Sequence, residues 1–225
     1  MDGMDQRRFA SFMNFTLDFN AFVLIPNSLE RPDGWLRSFS SFETLRILGP
    51  RLTPYIPELT RIATSGSGDA PSLAAEVLIA AGPEAWPQVL SLATNGNFPG
   101  SQSALRSIGQ LGDAALPAIP TLIRQLQGGG LLTPREAAYR LGDLRLEPEL
   151  CIPALRQALG SGSQELQRSA ASALGKFGAA AKPALPELER LQVSQDRYLA
   201  SSASNAVQAI LASQDSREHP LVPNR

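Results

Sequence analysis

Residues 173–191 read ALGKFGAAAKPALPELERL, and residues 105–122 read LRSIGQLGDAALPAIPTL. Each stretch begins with apolar residues at helical spacing and continues through a glycine and a short alanine-rich segment. Each then reaches a proline that directly follows a large apolar residue. Two such similar segments in one chain indicate an internal repeat, and a repeat decides the fold class before any single element does.

Prolines show how far the repeat extends. Five of them share one context, with a large apolar residue before and Leu or Val two residues after. These anchor prolines are Pro57, Pro87, Pro120, Pro153 and Pro186. The intervals between them are 30, 33, 33 and 33 residues. Three repeats carry another proline three residues earlier, at Pro54, Pro117 and Pro183. The period predicts stacked supersecondary units.

Each unit predicts two helices. Upstream of the anchors, apolar residues recur at spacings of three and four, which is one helical face. Examples are Ala104, Leu105, Ile108 and Leu111; Ala137, Ala138, Leu141 and Leu144; and Ala170, Ala171, Leu174 and Phe177. After the anchors a second stripe follows, as in Leu122, Ile123 and Leu126, or Leu188 and Leu191. We call the two predicted helices A and B.

Glycine and proline predict the turn between them. Glycine stands eight residues before the anchor at Gly49, Gly112 and Gly178, and Gly82 fits if its turn is three residues shorter. A left-handed C-cap costs glycine little, and proline is tolerated in a first helical turn. The fourth repeat departs from the pattern, because Arg145 occupies the glycine position. Two helices alone cannot cover their apolar faces, so neighbouring hairpins must stack.

The pattern resembles the HEAT-repeat family, and in particular the short bacterial repeats related to phycobilisome lyases. The resemblance covers roughly residues 38–212 and implies an all-α, armadillo-like, right-handed α-α superhelix of about five hairpins with terminal caps. The family often carries Asp in the loop between repeats and Arg at the start of the next helix A. Arg135 and Arg168 match the Arg, whereas the Asp is mostly absent.

Three regions follow from this reading: residues 1–37 as an N-terminal cap and loop, 38–212 as the solenoid, and 213–225 as a flexible tail. A lone last helix A is predicted at about residues 197–212, with Ala203, Val207 and Ile210 facing inward. In the first region Phe9, Phe12, Phe15, Phe19 and Phe22 step at helical spacing. A strand is the competing interpretation. The phenylalanines either cap the first hairpin or form a docking helix.

Composition narrows the function classes. The 225 residues contain 20 Lys plus Arg and 21 Asp plus Glu, a formal net charge of −1. That balance argues against a dedicated nucleic-acid binder, because phosphate binding usually needs a basic excess. No signal peptide and no membrane span are expected. We therefore expect a cytoplasmic protein.

Candidates for chemistry are few. The chain has one cysteine, Cys151, and one histidine, His219, so neither a disulfide nor a cysteine metal cluster is expected. Cys151 occupies a mainly small column two residues before the anchor, which predicts a buried, inert thiol. Trp86 precedes an anchor and is predicted to be core. The run 128–130 lacks the Lys-Ser/Thr of a phosphate loop. No catalytic residue, metal or cofactor is predicted.

The resemblance implies that B helices line a concave surface. Positions one and four residues after each anchor are predicted to face solvent, away from the Leu stripe. The first position holds Glu58, Gln88, Thr121, Ala154 and Glu187; the second holds Arg61, Ser91, Arg124, Gln157 and Arg190. Arginines here, joined by Arg156, predict a ridge able to capture carboxylate or phosphate. Local Glu58/Arg61 and Glu187/Arg190 pairing is the alternative.

The predicted function is non-catalytic binding of another protein, or scaffolding, through this face. Its candidate residues are Glu58, Arg61, Thr121, Arg124, Arg156, Gln157, Glu187 and Arg190. The alternative is an enzyme or enzyme subunit related to HEAT-like bilin lyases, or a HEAT-like nucleic-acid repair protein. The partner's identity and the oligomeric state are left open by these patterns.

Overall fold

The structure is a computed structural model that describes residues 49–218, with side-chain exposure described for residues 52–213. From Pro50 onward these residues belong to one compact unit. Between residues 49 and 218 the fold is all-α, with helices and turns and no strand in that range. The predicted N-terminal cap, its Phe9–Phe22 stripe, the start of the first helix A and His219 lie outside the described residues.

Ten α-helices follow one another in the described part. They are α1 (Ile56–Ser65), α2 (Ala70–Ala81), α3 (Trp86–Asn95), α4 (Ser101–Arg106), α5 (Ile119–Leu126), α6 (Pro134–Leu144), α7 (Pro148–Leu159), α8 (Gln164–Phe177), α9 (Leu185–Leu191) and α10 (Arg197–Glu218). Odd-numbered helices are the predicted B helices, and even-numbered helices are the predicted A helices. The last helix runs to Glu218, six residues beyond the predicted end near Ala212.

Four of the five A–B turns contain 3-10 segments, at Gly49–Tyr55, Pro83–Ala85, Ile108–Ala118 and Gly178–Ala184, and the third of these is interrupted at Gly112. Four anchor prolines stand at the second position of the helix that follows, namely Pro57, Pro87, Pro120 and Pro186. These four prolines therefore occupy equivalent hairpin positions. Proline is tolerated there because the first turn of a helix makes no use of the N–H group of its second residue.

Glycine at these turns takes positive φ, at 55° for Gly112, 57° for Gly178 and 91° for Gly82. The fourth hairpin has no glycine at this turn and takes a different backbone conformation, because ψ is 26° at Arg145 instead of −131° at Gly112. Arg145 adopts φ 55° and Glu147 adopts φ 46°, although a left-handed conformation costs a side-chain-bearing residue roughly 1–2 kcal/mol. Pro148 then begins α7 early, so that the anchor Pro153 lies inside the helix instead of at its start.

Contacts run between helices that are close in the chain. Successive A helices are in contact in the pairs α2–α4, α6–α8 and α8–α10. Successive B helices also touch, in the pairs α1–α3, α5–α7 and α7–α9. Each B helix also packs against the A helix that follows it in the chain. This neighbour-by-neighbour pattern is compatible with a helical-repeat solenoid.

The core follows the predicted stripes. All twelve A-helix stripe residues named above are buried, and so are Ala203, Val207 and Ile210. On the B helices the residue two after each anchor is no more than 1% exposed: Leu59, Val89, Leu122, Leu155 and Leu188. Each such side chain contributes about 1.5–3 kcal/mol on leaving water, so the repeated apolar column is the main source of hairpin stability.

A second column, of glycines, brings A helices into close contact. Gly109, Gly142 and Gly175 are 33 residues apart. A Cβ added at Gly142 would lie 2.7 Å from the Cα atom of Ala173 on α8, and one at Gly175 would lie 3.0 Å from the Cα atom of Ala206 on α10. At Gly109 no atom would lie within 4 Å. The α6–α8 and α8–α10 contacts are therefore equivalent, with the first tighter.

Candidate functional site

Four residues after each anchor, the side chains form an exposed column on the B helices. Its members are Arg61, Ser91, Arg124, Gln157 and Arg190, and all five are exposed as the sequence predicted. With 3.6 residues per turn, this position lies about 160° around the helix from the buried Leu or Val at the second position. The column therefore points away from the core in every described hairpin.

The position one residue after the anchor behaves differently, and the prediction that it faces solvent throughout is wrong. Thr121 is buried, at 5% exposure, and Glu187 is only partly exposed. This position lies about 100° from the buried second position, on the flank of the helix instead of its outer face. The flank is where neighbouring B helices meet, so Thr121 contributes packing and an acceptor for Arg124.

Arg156 and Glu187 form a salt bridge between adjacent B helices. The Arg156 Nε atom donates to Glu187 Oε1 at 3.2 Å, and a second guanidinium nitrogen donates to the same oxygen. The hydrogen bonds from Arg156 hold the pKa of the Glu187 carboxyl below its usual value, against the opposing effect of partial burial. Arg156 thus links α7 to α9. The alternative interpretation of the sequence instead paired Glu187 with Arg190 on the same helix.

The other arginines differ in their partners. Arg61 Nη2 lies 2.7 Å from Glu58 Oε1 one turn earlier on α1, which is the predicted local pair. Arg124 Nη2 donates to the Thr121 hydroxyl at 3.2 Å. Within the described residues neither Arg124 nor Arg190 lies in a salt bridge. The exposed column therefore carries two guanidinium groups that form no salt bridge in that part of the chain.

The A helices carry a tyrosine cluster that the sequence analysis missed. Tyr139 on α6 is 51% exposed, and the Lys176 Nζ atom lies 4.4 Å from its ring centroid. Arg140 lies 5.2 Å from the same centroid. Asp143 joins the two cations, with Oδ1 2.6 Å from Lys176 Nζ and Oδ2 3.6 Å from Arg140 Nη1. We call these four residues the Tyr139 cluster.

A second group, the Tyr198 cluster, consists of Tyr198, Arg168 and Arg197. Tyr198 on α10 is 57% exposed. The Cζ atom of Arg197 lies 4.6 Å from the ring centroid, and that of Arg168, on α8, lies 5.9 Å away. Arg197 Nη2 also donates to the Tyr198 hydroxyl at 2.7 Å. Two guanidinium groups from neighbouring A helices therefore converge on one exposed ring.

A shallow groove of about 500 Å³ lies beside the glycine run 128–130, where α6 begins. Arg106 and Arg135 are among its lining residues. The Glu136 carboxylate in the groove is already engaged, because it accepts from the Thr133 N–H and hydroxyl and lies 3.3 Å from Arg106. Those bonds from Thr133 are the main reason that the pKa of Glu136 is lowered. The Glu136 carboxylate therefore offsets part of the positive charge that Arg106 and Arg135 bring to the groove.

Cys151 is buried, as the small column predicted, and its thiol donates to the Leu146 carbonyl oxygen at 3.2 Å. Burial raises the pKa of this thiol to about 12, so it stays protonated and a poor nucleophile at neutral pH. Trp86 is half-buried. Between residues 49 and 218 no three His, Cys, Asp or Glu side chains converge as metal ligands. No helix in that range is long and apolar enough to cross a membrane.

The fold and surface define an all-α protein of packed helical hairpins. The sequence matches no family model and no curated protein. It is similar to the crystal structure of an engineered protein from the Northeast Structural Genomics Consortium, with a TM-score of 0.51 and 20% sequence identity. The likeness covers 80% of this chain and 95% of that one, and at this identity it shows the fold alone.

Proposed function

We propose that the chain is a HEAT-like, armadillo-like, right-handed α-α superhelix that binds another protein through a concave surface formed by its B helices. The 33-residue period and the contacts between successive A and successive B helices support the architecture. The exposed column four residues after each anchor supports the role, since it is the one polar column that every described hairpin presents to solvent.

The main support for this proposal comes from two arginines, Arg124 and Arg190. Both are exposed, and in the described range neither lies in a salt bridge, although the charge of Arg190 contributes to the lowered pKa of Glu187. Arginine presents five donors in a planar fork, which suits bidentate capture of a partner's carboxylate. Arginine is also enriched among residues whose truncation weakens protein interfaces most.

The salt bridge between Arg156 and Glu187 has a supporting role in the proposed surface. It spans α7 and α9, so it fixes the spacing between the B helices that carry Gln157 and Arg190. A surface whose side chains are held by such pairs loses less conformational entropy on binding. Gln157 then offers a neutral donor and acceptor between the flanking arginines.

The test is affinity capture from the native host with chemical crosslinking. The variant Arg124→Glu/Arg190→Glu reverses two charges on the B face, and we expect it to lower capture of the partner by at least about tenfold. Crosslinks in the unmodified protein are expected on α5, α7 and α9. The matched control, Arg135→Glu/Lys182→Glu, makes the same change in net charge at exposed positions outside the B helices.

Retention of the partner by the B-face variant, at the level of the control, would contradict the proposal. Crosslinks confined to A helices would contradict it as well. Far-UV circular dichroism of each variant checks that all of them keep the helical fold, because reversal of exposed charges removes no buried contact.

A further inference from the structure

The Tyr198 cluster has an unbalanced charge. Arg168 and Arg197 lie within 5.9 Å and 4.6 Å of one ring centroid, and in the described range neither forms a salt bridge. Like charges held close together repel, and the ring quadrupole offsets only part of this cost. An anion bound between them would remove the repulsion and gain charge-assisted hydrogen bonds.

Nearby carboxylates do not fill this role. Asp196 precedes the cluster, but its Oδ1 atom accepts the backbone N–H groups of Tyr198 and Leu199 and so caps α10. Glu165 lies one turn before Arg168 on α8, is exposed, and forms no salt bridge with it. In the described range neither acid beside the cluster forms a salt bridge with its arginines, and one of them is engaged by the backbone.

Arg197 is also poorly placed for helix stability. It is the first residue of α10, where the positive end of the helix dipole disfavours a cation. A side chain that opposes local stability, and that holds its guanidinium against an exposed ring, points to a role outside the helix itself.

The Tyr139 cluster shows what a self-contained version of this arrangement looks like. It has the same composition of one exposed tyrosine and two cations, drawn from α6 and α8. There Asp143 contacts both cations, with one oxygen for each. Asp143 lies four residues after Tyr139, and at the same offset from Tyr198 the chain has Ser202. The Tyr198 cluster thus lacks the carboxylate that the other cluster supplies internally.

We infer that the Tyr198 cluster is a second docking site, on the A-helix side, for an acidic segment of a partner protein. A carboxylate of the partner takes the place that Asp143 occupies in the Tyr139 cluster and receives the guanidinium groups of Arg168 and Arg197. The exposed face of Tyr198 packs against the apolar part of the segment, as tyrosine does in many interfaces. This inference does not depend on the B-helix proposal.

Charge complementarity selects the partner class. A nucleic-acid surface would need an extended basic stripe, because its affinity grows with each phosphate neutralised. Here the two arginines stand beside Glu165 and Asp196, and the whole chain has a net charge of −1. Two guanidinium groups and one ring suit a short acidic peptide with one or two carboxylates in reach.

The experiment uses fluorescence anisotropy with two labelled probes, hexaglutamate and the neutral hexaglutamine, at low ionic strength. The full chain is expected to bind hexaglutamate and to prefer it over hexaglutamine. Arg168→Gln/Arg197→Gln should weaken hexaglutamate binding roughly tenfold, which corresponds to the loss of two exposed charge-assisted contacts. Tyr198→Phe, which removes the hydroxyl that orients Arg197, should weaken it about twofold.

Two matched variants lower the net charge by the same amount. Arg140→Gln/Lys176→Gln alters the Tyr139 cluster and should change hexaglutamate binding by less than about twofold. Arg124→Gln/Arg190→Gln alters the proposed B-face site instead. Loss of binding in this last variant, with binding kept in the Arg168/Arg197 variant, would overturn the Tyr198 assignment while leaving the B-helix proposal standing.

Two further outcomes would overturn the inference. Equal weakening in all three double variants would show a response to net charge alone. Tighter binding of single-stranded oligothymidine than of hexaglutamate, lost in the Arg168/Arg197 variant, would assign the site to nucleic acid instead. The thermal unfolding midpoint of each variant confirms that the comparison is made between folded proteins.

Discussion

The two tyrosine clusters differ in their internal charge balance. Each joins an exposed tyrosine to two cations across neighbouring A helices, yet only the Tyr139 cluster includes a carboxylate. In that cluster Asp143 forms salt bridges with Lys176 and Arg140. The guanidinium groups of the Tyr198 cluster form no salt bridge in the described range and are left to an external anion. Residue composition alone therefore does not identify a docking site, because its internal charge balance must be counted.

The largest expected effect comes from the glycine contacts beneath the clusters. Gly142→Ala places a methyl group 2.7 Å from the Cα atom of Ala173, so α6 and α8 must separate and Lys176 must move away from Asp143. We expect a loss of about 2 kcal/mol in the free energy of unfolding, measured by urea denaturation. This net value already includes the stabilising effect of replacing glycine by alanine in a helix, which is up to about 1 kcal/mol.

Two glycines of the same column provide the controls. Gly175→Ala meets Ala206 at 3.0 Å, which requires a smaller shift, and we expect a loss within about 1 kcal/mol. Gly109→Ala meets no atom within 4 Å and is expected to be neutral or to stabilise by about 0.5 kcal/mol. Equal effects at the three sites would show that the tight contact at Gly142 has no energetic consequence.

The next effect concerns the missing carboxylate. Ser202→Asp supplies an acid four residues after Tyr198, on the same face of α10 as the tyrosine. We expect hexaglutamate binding to weaken about fivefold, because the internal carboxylate competes with the peptide for the same guanidinium groups. Anisotropy titration measures the change, with Ser202→Asn as the uncharged control of similar size.

The reciprocal change tests the same idea from the other side. Asp143→Asn releases Lys176 and Arg140, so hexaglutamate binding by the Arg168→Gln/Arg197→Gln protein should recover about threefold. If Ser202→Asp leaves binding intact and Asp143→Asn adds none, the carboxylate does not distinguish the clusters.

The smallest expected effect is at Arg156, a third cation neutralised by the protein. The lowered pKa of Glu187 means that its salt bridge stabilises the fold at neutral pH, and that this stability is lost as the pH falls through the lowered value. Arg156→Ala should therefore reduce stability by about 0.5 kcal/mol near pH 7 and flatten its fall toward acid pH.

Arg124→Ala is the matched control for this pH dependence. It removes an exposed arginine from the neighbouring B helix, and Arg124 bonds to Thr121 instead of to a carboxylate. The slope of unfolding free energy against pH should be unchanged in this variant. A slope altered equally in both variants would mean that Glu187 does not gain its low pKa from Arg156.

The hairpins could be predicted because their signals are periodic. The anchor prolines and the apolar residues two positions later recur in every unit, and the structure places four of the five prolines at helix starts and all five apolar residues in the core. The flank position was harder to predict. A residue about 100° from the buried stripe is exposed or covered according to how neighbouring helices meet, so the burial of Thr121 follows from packing between repeats.

The tyrosine clusters could not be predicted for a related reason. Tyr139 and Tyr198 occupy different positions of the repeat, since they are 59 residues apart instead of a multiple of 33. Each cluster also depends on a cation from a neighbouring A helix, Lys176 for Tyr139 and Arg168 for Tyr198, and such contacts are non-local. Arg145 shows another local effect, in which the departure from the glycine column changes ψ from −131° at Gly112 to 26° while φ stays positive.

The paired glycine and alanine contacts bear on how such a chain can change in length. Gly142 contacts Ala173 and Gly175 contacts Ala206, so each of these two contacts between A helices involves only residues of the two repeats that it joins. Duplication or deletion of one whole 33-residue segment would recreate a junction of the same kind at the new boundary. Insertion of a few residues would not, because it would bring a bulkier side chain opposite the small one.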